Sequence, residues 1–384
     1  MRNLTSKLPN TATSIFTQMS QLALRYQAIN LSQGFPDFDP SPRLVSLVEQ
    51  HLRAGYNQYA PMAGVVALRE QISDKVAETI DVSYHPETEI TITAGATQAL
   101  FTVMATLIRP GDEVILFEPA YDAYAPAVQV FGGIPVPVTL TAPDFAIDWD
   151  AVASLLTPQT RLMVINSPNN PTARVLNDAD YQQLSRVIRN TDCYVLSDEV
   201  YEHIVYDEVQ HRSAAHYEAL RERAFVVASF GKLYHTTGWK VGYCLAPREL
   251  TAEFRKVHQF NVFSVNTPIQ YALANFMEDA ETYLGLGMFF QKKRDFLMAA
   301  LQETSFRPLP CQGTYFLVAD YSAISNLPEK EFCETLTRQY GITTIPIAAF
   351  YHREINQHLI RICFAKQEQT LQQAAERFIR VNPF

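Results

Sequence analysis

Cysteine is scarce in this sequence: five residues in 384 (Cys193, Cys244, Cys311, Cys333 and Cys363), far apart and with no C-x-x-C pair. That excludes a disulfide framework and zinc-type spacing, and isolated thiols in odd number read as reduced core residues. Long apolar runs are missing too. No stretch approaches the length that crosses a bilayer, and the N-terminus lacks the apolar core of a signal peptide. Positive charge is in short supply: a formal net charge of −9 disfavours a nucleic-acid backbone or an anionic membrane as partner. Internal repeats, low-complexity tracts and obvious linkers are absent. The expectation is a soluble, cytoplasmic protein.

The length implies two to three domains and a chain able to bury roughly 75% of its unfolded surface. Between residues 90 and 245, short apolar runs alternate with helical patterns. The runs are 89–93, 113–117, 162–165, 194–196, 225–227 and 241–245. Such near-continuous hydrophobicity in short strands predicts an α/β fold with a mostly parallel sheet covered on both faces. Ala99, Leu100, Val103, Met104 and Leu107 recur at helical spacing after Gly95. A helical stretch over 290–301 precedes a segment of different texture, with apolar runs at 314–318 and 359–364. We expect a large domain over 41–289. A smaller α+β domain should combine 1–40 with 290–384.

Each core run hands over to polar residues at its C-terminal end, where open α/β sheets bind ligands. Gly95-Ala96-Thr97 opens a helix, whose free N–H groups suit a phosphate and equally an ordinary capped turn. Asp198 follows Tyr194-Val195-Leu196 and reads as a helix cap or as a carboxylate paired with a pyridine nitrogen. Tyr201 and Asn170 are either packing and turn residues or donors to a ring oxygen. Tyr121 beside Pro119 is either packing or a stacking face. Ser229-Phe230-Gly231-Lys232 ends the run Ala224–Ala228, and Lys240 follows eight residues later. A lysine at the mouth of a core strand needs a partner or a job. Imine chemistry is a job that fits, because a desolvated amine can be neutral and nucleophilic. Ser229 and Lys240 flank it and could hold an anion. Arg361 interrupts an apolar strand between Ile360 and Ile362, either on a solvated face or as a bidentate carboxylate clamp.

Together these clusters resemble the class I/II aminotransferases of pyridoxal-phosphate fold type I, over nearly the whole chain. Asn30-Leu31-Ser32-Gln33-Gly34-Phe35-Pro36-Asp37, Ile15-Phe16-Thr17-Gln18-Met19 and Asn57-Gln58-Tyr59-Ala60-Pro61 carry the resemblance near the N-terminus. Ser229-Phe230-Gly231-Lys232 and Ile360-Arg361-Ile362-Cys363-Phe364-Ala365-Lys366 carry it further on. They are most similar to the kynurenine/glutamine-type branch, which includes bacterial methionine (2-oxo acid) aminotransferases.

The resemblance implies a seven-stranded sheet and pyridoxal 5'-phosphate as cofactor. It implies Lys232 as the Schiff-base lysine and proton shuttle, Asp198 on the ring nitrogen, and Asn170 and Tyr201 on the ring oxygen. Gly95, Ala96, Thr97, Ser229 and Lys240 would hold the phosphate, and Tyr121 would stack on the ring. Arg361, Asn170 and the Gly34 backbone would bind the substrate carboxylate, with Phe16, Phe35 and Phe263 near its side chain. Tyr59 would reach the phosphate of a partner subunit, so a homodimer with shared sites is implied. Two positions depart from the wider pattern: Lys240 stands where Arg is frequent, and Ala173 where Gly usually follows Asn170-Pro171-Thr172.

The implied activity is transfer of the amino group of methionine and other large neutral or aromatic amino acids to a 2-oxo acid. A carbon–sulfur β-lyase or a kynurenine aminotransferase on the same cofactor is the alternative within enzymes. A regulatory module that keeps the fold and cofactor, or an α/β protein binding small anions, is the alternative outside them.

Overall fold

The computed structural model describes residues 4–9 and 11–384. Its strands in chain order are β1 (Ile29–Asn30), β2 (Ile90–Thr93), β3 (Glu113–Glu118), β4 (Ile134–Thr139), β5 (Thr160–Asn166), β6 (Tyr194–Asp198) and β7 (Ala224–Ser229). They continue with β8 (Gly242–Leu245), β9 (Arg307–Pro308), β10 (Phe316–Asp320), β11 (Ile342–Thr343), β12 (Ile345–Pro346) and β13 (Leu359–Cys363).

Seven strands form one sheet in the order β2-β8-β7-β6-β5-β3-β4. All run parallel except β8, which is antiparallel to both β2 and β7. Its strand residues alternate between two buried layers. Val114, Leu116, Leu162, Val164, Leu196 and Phe225 pack with the helix Ala96–Leu107 on one face. Ile115, Met163, Ile165, Val195 and Val226 join the larger core, which includes Trp149, Tyr181 and Leu184, on the other. Burial on both faces is what makes these strands read as continuous apolar runs.

The strand β4 was not anticipated. Its sequence Ile-Pro-Val-Pro-Val-Thr carries Pro135 and Pro137, which lack the N–H that a ladder needs. It survives because it is an edge strand paired only with β3, where a missing donor on the outer side costs nothing.

A four-stranded antiparallel sheet, β12-β13-β10-β9, lies in the C-terminal part of the chain. The long helix Leu286–Gln302 precedes it. The N-terminal segment is tied to that part by β1, which pairs in parallel with β11 at Ile29↔Ile342. Leu31 N–H donates to Thr343 O, and Cys363 N–H to Leu31 O, which seats residues 31–36 beside β13.

Candidate active site

The strands β2, β3, β5, β6 and β7 all end at one edge of the large sheet, and β8 begins there. A cavity of about 350 Å³ opens at this edge. The residues expected on sequence grounds fall around it or outside it as follows.

The helix Ala96–Leu107 starts at the cavity wall with Gly95 at its cap and no side chain capping it. Gly95 has φ +79°, in the left-handed region that glycine favours, and a Cβ there would lie 3.2 Å from Lys240 Nζ. The Lys240 ammonium therefore sits over the helix N-terminus, where orphan N–H groups and the helix dipole already favour an anion. Thr97 and Ser229 line the same end of the cavity.

Deeper in, Asp198 at the end of β6 is buried. Burial pushes its carboxyl up to about 6, opposed by a hydrogen bond from the Tyr124 hydroxyl at 2.6 Å. Asn166 donates from Nδ2 to Asp198 O and accepts from Asn170 N–H, both at 2.8 Å, which joins the ends of β5 and β6. Tyr201 is buried and its phenol is raised, mainly by that burial. Tyr121 stands at the wall edge-on to Tyr124, with ring centroids 5.6 Å apart.

Lys232 projects into the cavity from the turn of helix that follows β7. Burial lowers its amine to about 8. Nζ donates to Tyr315 Oη at 2.7 Å and to Gly34 O at 3.1 Å.

Arg361 is 1% exposed, so the solvated-face alternative is wrong. Every residue of β13 is buried because the strand lies inside its sheet with segment 31–36 alongside. The guanidinium lies 3.9 Å from the Phe316 ring centroid and donates to Asn170 Oδ1 and Ser32 O, each at 2.7 Å. Its Nε has no protein partner, and burial lowers the group to about 10. A buried guanidinium held by neutral acceptors, with a donor to spare, has the chemistry to take a carboxylate. Asn170 commits its Oδ1 to Arg361 and keeps its NH2 as donor.

Gly34 and Phe16 line the cavity as expected. Phe35, Tyr59 and Phe263 do not line it. Phe35 is 45% exposed beneath the Lys366 ammonium. Tyr59 is 81% exposed and packs edge-on against the exposed Phe263 at 5.1 Å. Ala173 holds φ +62° while fully buried, so the turn keeps the glycine-like backbone without glycine. Asn166 opens the polar cluster 166–170 at the end of its strand and lines the cavity, whereas Tyr124, Tyr315 and Phe316 were missed. Only the adjacency of Tyr315-Phe316 to a strand and of Tyr124 to Tyr121 marks them in sequence, and aromatics in such places ordinarily pack.

A family model for aminotransferase class I and II matches residues 26–378. The chain belongs to the class I and II aminotransferases. It is thus an enzyme, and its relatives support the same class. The methionine aminotransferase of Escherichia coli strain K12 is 51% identical over 373 residues, 97% of each chain. A probable N-succinyldiaminopimelate aminotransferase of Mycobacterium tuberculosis is 36% identical over 97% of each chain. The solved structure of YbdL from Escherichia coli, identified with a methionine aminotransferase function, has a TM-score of 0.97 and 50% identity. It covers 98% of this chain, which covers 99% of it. Aminotransferases of this class act on amino and 2-oxo acids and generally depend on pyridoxal phosphate. Among the described residues, no helix is long and apolar enough to cross a membrane.

Proposed function

We propose that this aminotransferase moves the amino group of methionine, and of other large neutral and aromatic amino acids, to a 2-oxo acid. The observation that carries the reading is the cavity wall. Arg361 is the one guanidinium among its described lining residues, and Phe16 and Phe316 lie against it. One guanidinium serves the α-carboxylate that every substrate has, and the aromatic wall is left for the side chain. A sulfur–aromatic contact is worth roughly 0.3–1.5 kcal/mol. A second carboxylate buried there unpaired would cost several kcal/mol, which outweighs such a contact.

The residues fit pyridoxal phosphate. Lys240 over the N-terminus of helix 96–107, with Gly95, Ala96, Thr97 and Ser229, makes a cradle for a phosphate monoester. Asp198 is a buried carboxylate that gains a cationic partner if it meets a protonated ring nitrogen, and Tyr201 and Asn170 supply donors for the ring oxygen. Tyr121 offers a face for the ring. When bound, the cofactor supplies an aldehyde for the substrate amine and a ring that takes up the electron pair left at Cα. Lys232 would hold the cofactor, and its Nζ would move the proton from substrate Cα. Arg361 and Asn170, with the Gly34 backbone, orient the carboxylate. Residues 41–289 would supply the cofactor cradle, while 1–40 with 290–384 supply Phe16, Gly34, Phe316 and Arg361.

The same reading makes the enzyme a homodimer with shared sites. Tyr59 and Phe263 lie outside the cavity of their own chain, and Phe260 nearby in sequence is 91% exposed. Aromatics so placed support a partner surface, with Tyr59 serving the partner's phosphate cradle. Five buried free thiols support a reducing, cytoplasmic setting.

The test is kcat/KM across a panel of amino donors, with the 2-oxo acid product measured. Methionine and phenylalanine should exceed aspartate and glutamate by about a hundredfold or more, following the cost of the unpaired carboxylate. Aspartate ranking first would overturn the reading. Elimination outpacing 2-oxo acid formation would transfer it to a carbon–sulfur lyase. Borohydride reduction of the holoenzyme should label Lys232, and Lys232→Ala should lose transamination by several orders of magnitude.

A further inference from the structure

Tyr315 is fully buried at the threshold of β10, and its hydroxyl meets the Lys232 amine. The ring is fixed on several sides. It packs edge-on to Tyr201 at 5.2 Å and to Phe316 at 4.9 Å, and tilted against Phe290 at 5.6 Å. The hydroxyl donates to Gly34 O at 2.6 Å. A phenol has one hydrogen, so towards Lys232 the oxygen can only accept. The Gly34 carbonyl is an acceptor as well. A neutral amine has two N–H bonds and one lone pair, and here both N–H bonds have fixed acceptors while the lone pair is left over.

We propose that Tyr315 is a positioning residue that anchors the freed Lys232 amine and aims its lone pair at the substrate Cα proton. This rests on the reading of Lys232 as the proton carrier. The anchor spans two distant parts of the chain, since Gly34 belongs to the N-terminal segment and Tyr315 to the C-terminal sheet. Burial keeps the phenol far above neutral pH, so Tyr315 orients and does not itself exchange protons. Asp198, Arg361, Lys240, Cys363, Tyr201 and Tyr315 are the titratable groups that surround the amine. Burial dominates its lowered affinity for a proton, Arg361 and Lys240 add to the effect, and Cys363 and Asp198 oppose it. Tyr315 Oη is an acceptor that favours the protonated amine, so its loss should lower the midpoint further.

The experiment uses Tyr315→Phe in two measurements. In cofactor-free protein, the pH dependence of Lys232 acetylation by acetic anhydride, read by peptide mass spectrometry against Lys256, should shift its midpoint downward. In the holoenzyme with methionine, kcat should fall about tenfold or more while KM stays within about twofold, and the α-deuterium isotope effect should rise. Phe290→Leu disturbs the packing of the Tyr315 ring but keeps its hydroxyl, so it should leave the acetylation midpoint in place. If Tyr315→Phe fails to fold, 3-fluorotyrosine at position 315, a weaker acceptor, should lower the midpoint in the same direction. An unmoved midpoint with an unchanged isotope effect would overturn the proposal, as would a Phe290→Leu variant that behaves like Tyr315→Phe. Failure of the underlying reading looks different: borohydride label in the parent holoenzyme would then fall on a residue other than Lys232.

Discussion

The Tyr124 hydroxyl donates to the Asp198 carboxylate across 2.6 Å, and both side chains are buried. The bond favours the ionised form of a carboxyl that burial otherwise drives towards the acid. An ionised Asp198 is what a protonated ring nitrogen needs. On the proposed reading, in which Asp198 pairs that nitrogen, Tyr124 would act on the cofactor at one remove.

Removing that donor should show in the pH profile. With Tyr124→Phe, the Asp198 carboxyl should titrate still higher, so the acid limb of kcat/KM should move to higher pH. A hydrogen bond to a charged group is worth about 1.5–3 kcal/mol, which predicts a loss of about tenfold to a hundredfold at neutral pH. A limb that does not move would mean the hydroxyl is idle.

Asp198 should cost the cofactor-free protein stability. Its carboxyl titrates near 6 when folded and near the usual carboxylate value when unfolded. Between those values the folded state binds more protons, so stability declines as pH rises through about 4 to 6 and stays lower above. The burden is about 3 kcal/mol at most. Asp198→Asn should relieve part of it, raising the denaturant midpoint of the cofactor-free protein at pH 7 and much less at pH 4. Turnover should collapse in the same variant. A variant less stable than the parent at pH 7 would contradict this.

Arg361→Lys keeps a charge but loses the fork and the flat contact with Phe316. KM should rise and kcat/KM should drop by about tenfold to a hundredfold for every donor alike. Comparison of methionine, phenylalanine and alanine decides it. A loss that tracks the side chain would place Arg361 in the specificity wall instead.

Lys75 tests the scaffold beneath Tyr201. It is 1% exposed, pairs with Glu202 at 2.6 Å and donates to Tyr243 Oη at 2.7 Å. The lysine is the chief influence holding the Glu202 carboxyl ionised, at about 2, despite its burial. Lys75→Met should leave that carboxylate unpaired and destabilise the fold by about 3–5 kcal/mol. Chemical denaturation measures it, and the double variant Lys75→Met/Glu202→Gln should recover much of the loss.

Much of this fold is legible in the sequence because its central strands are buried on both faces and so read as unbroken apolar runs. β4 was hidden by two prolines that only an edge can accept. The two-residue strands β1, β9, β11 and β12 carry no period at all. The site shows the same division. Lys232, Asp198, Thr97 and Asn170 stand at strand ends, where position alone singles them out. Tyr124 and Tyr315 act through partners 74 and 83 residues away along the chain, and nothing local distinguishes a bonded tyrosine from a packed one. Arg361 was visible as an anomaly in an apolar strand, but its burial depends on segment 31–36 closing over it.

The reversed strand β8 has a consequence for any attempt to move this chemistry elsewhere. Because β8 runs back along β7, Ser229 lies opposite Gly242, and one connection, residues 230–241, returns to the edge it left. Lys232 and Lys240 thereby stand on a single hairpin and line the same cavity. A Cβ on Gly242 would come within 3.0 Å of Ala96 N, so helix 96–107 is pressed against the same hairpin. In an all-parallel sheet the next strand would begin at the opposite edge, roughly 20 Å away for a strand of this length. Grafting the same side chains onto such a sheet would separate the two lysines by the length of a strand. The portable unit is the backbone reversal, and the amino acids that decorate it come second.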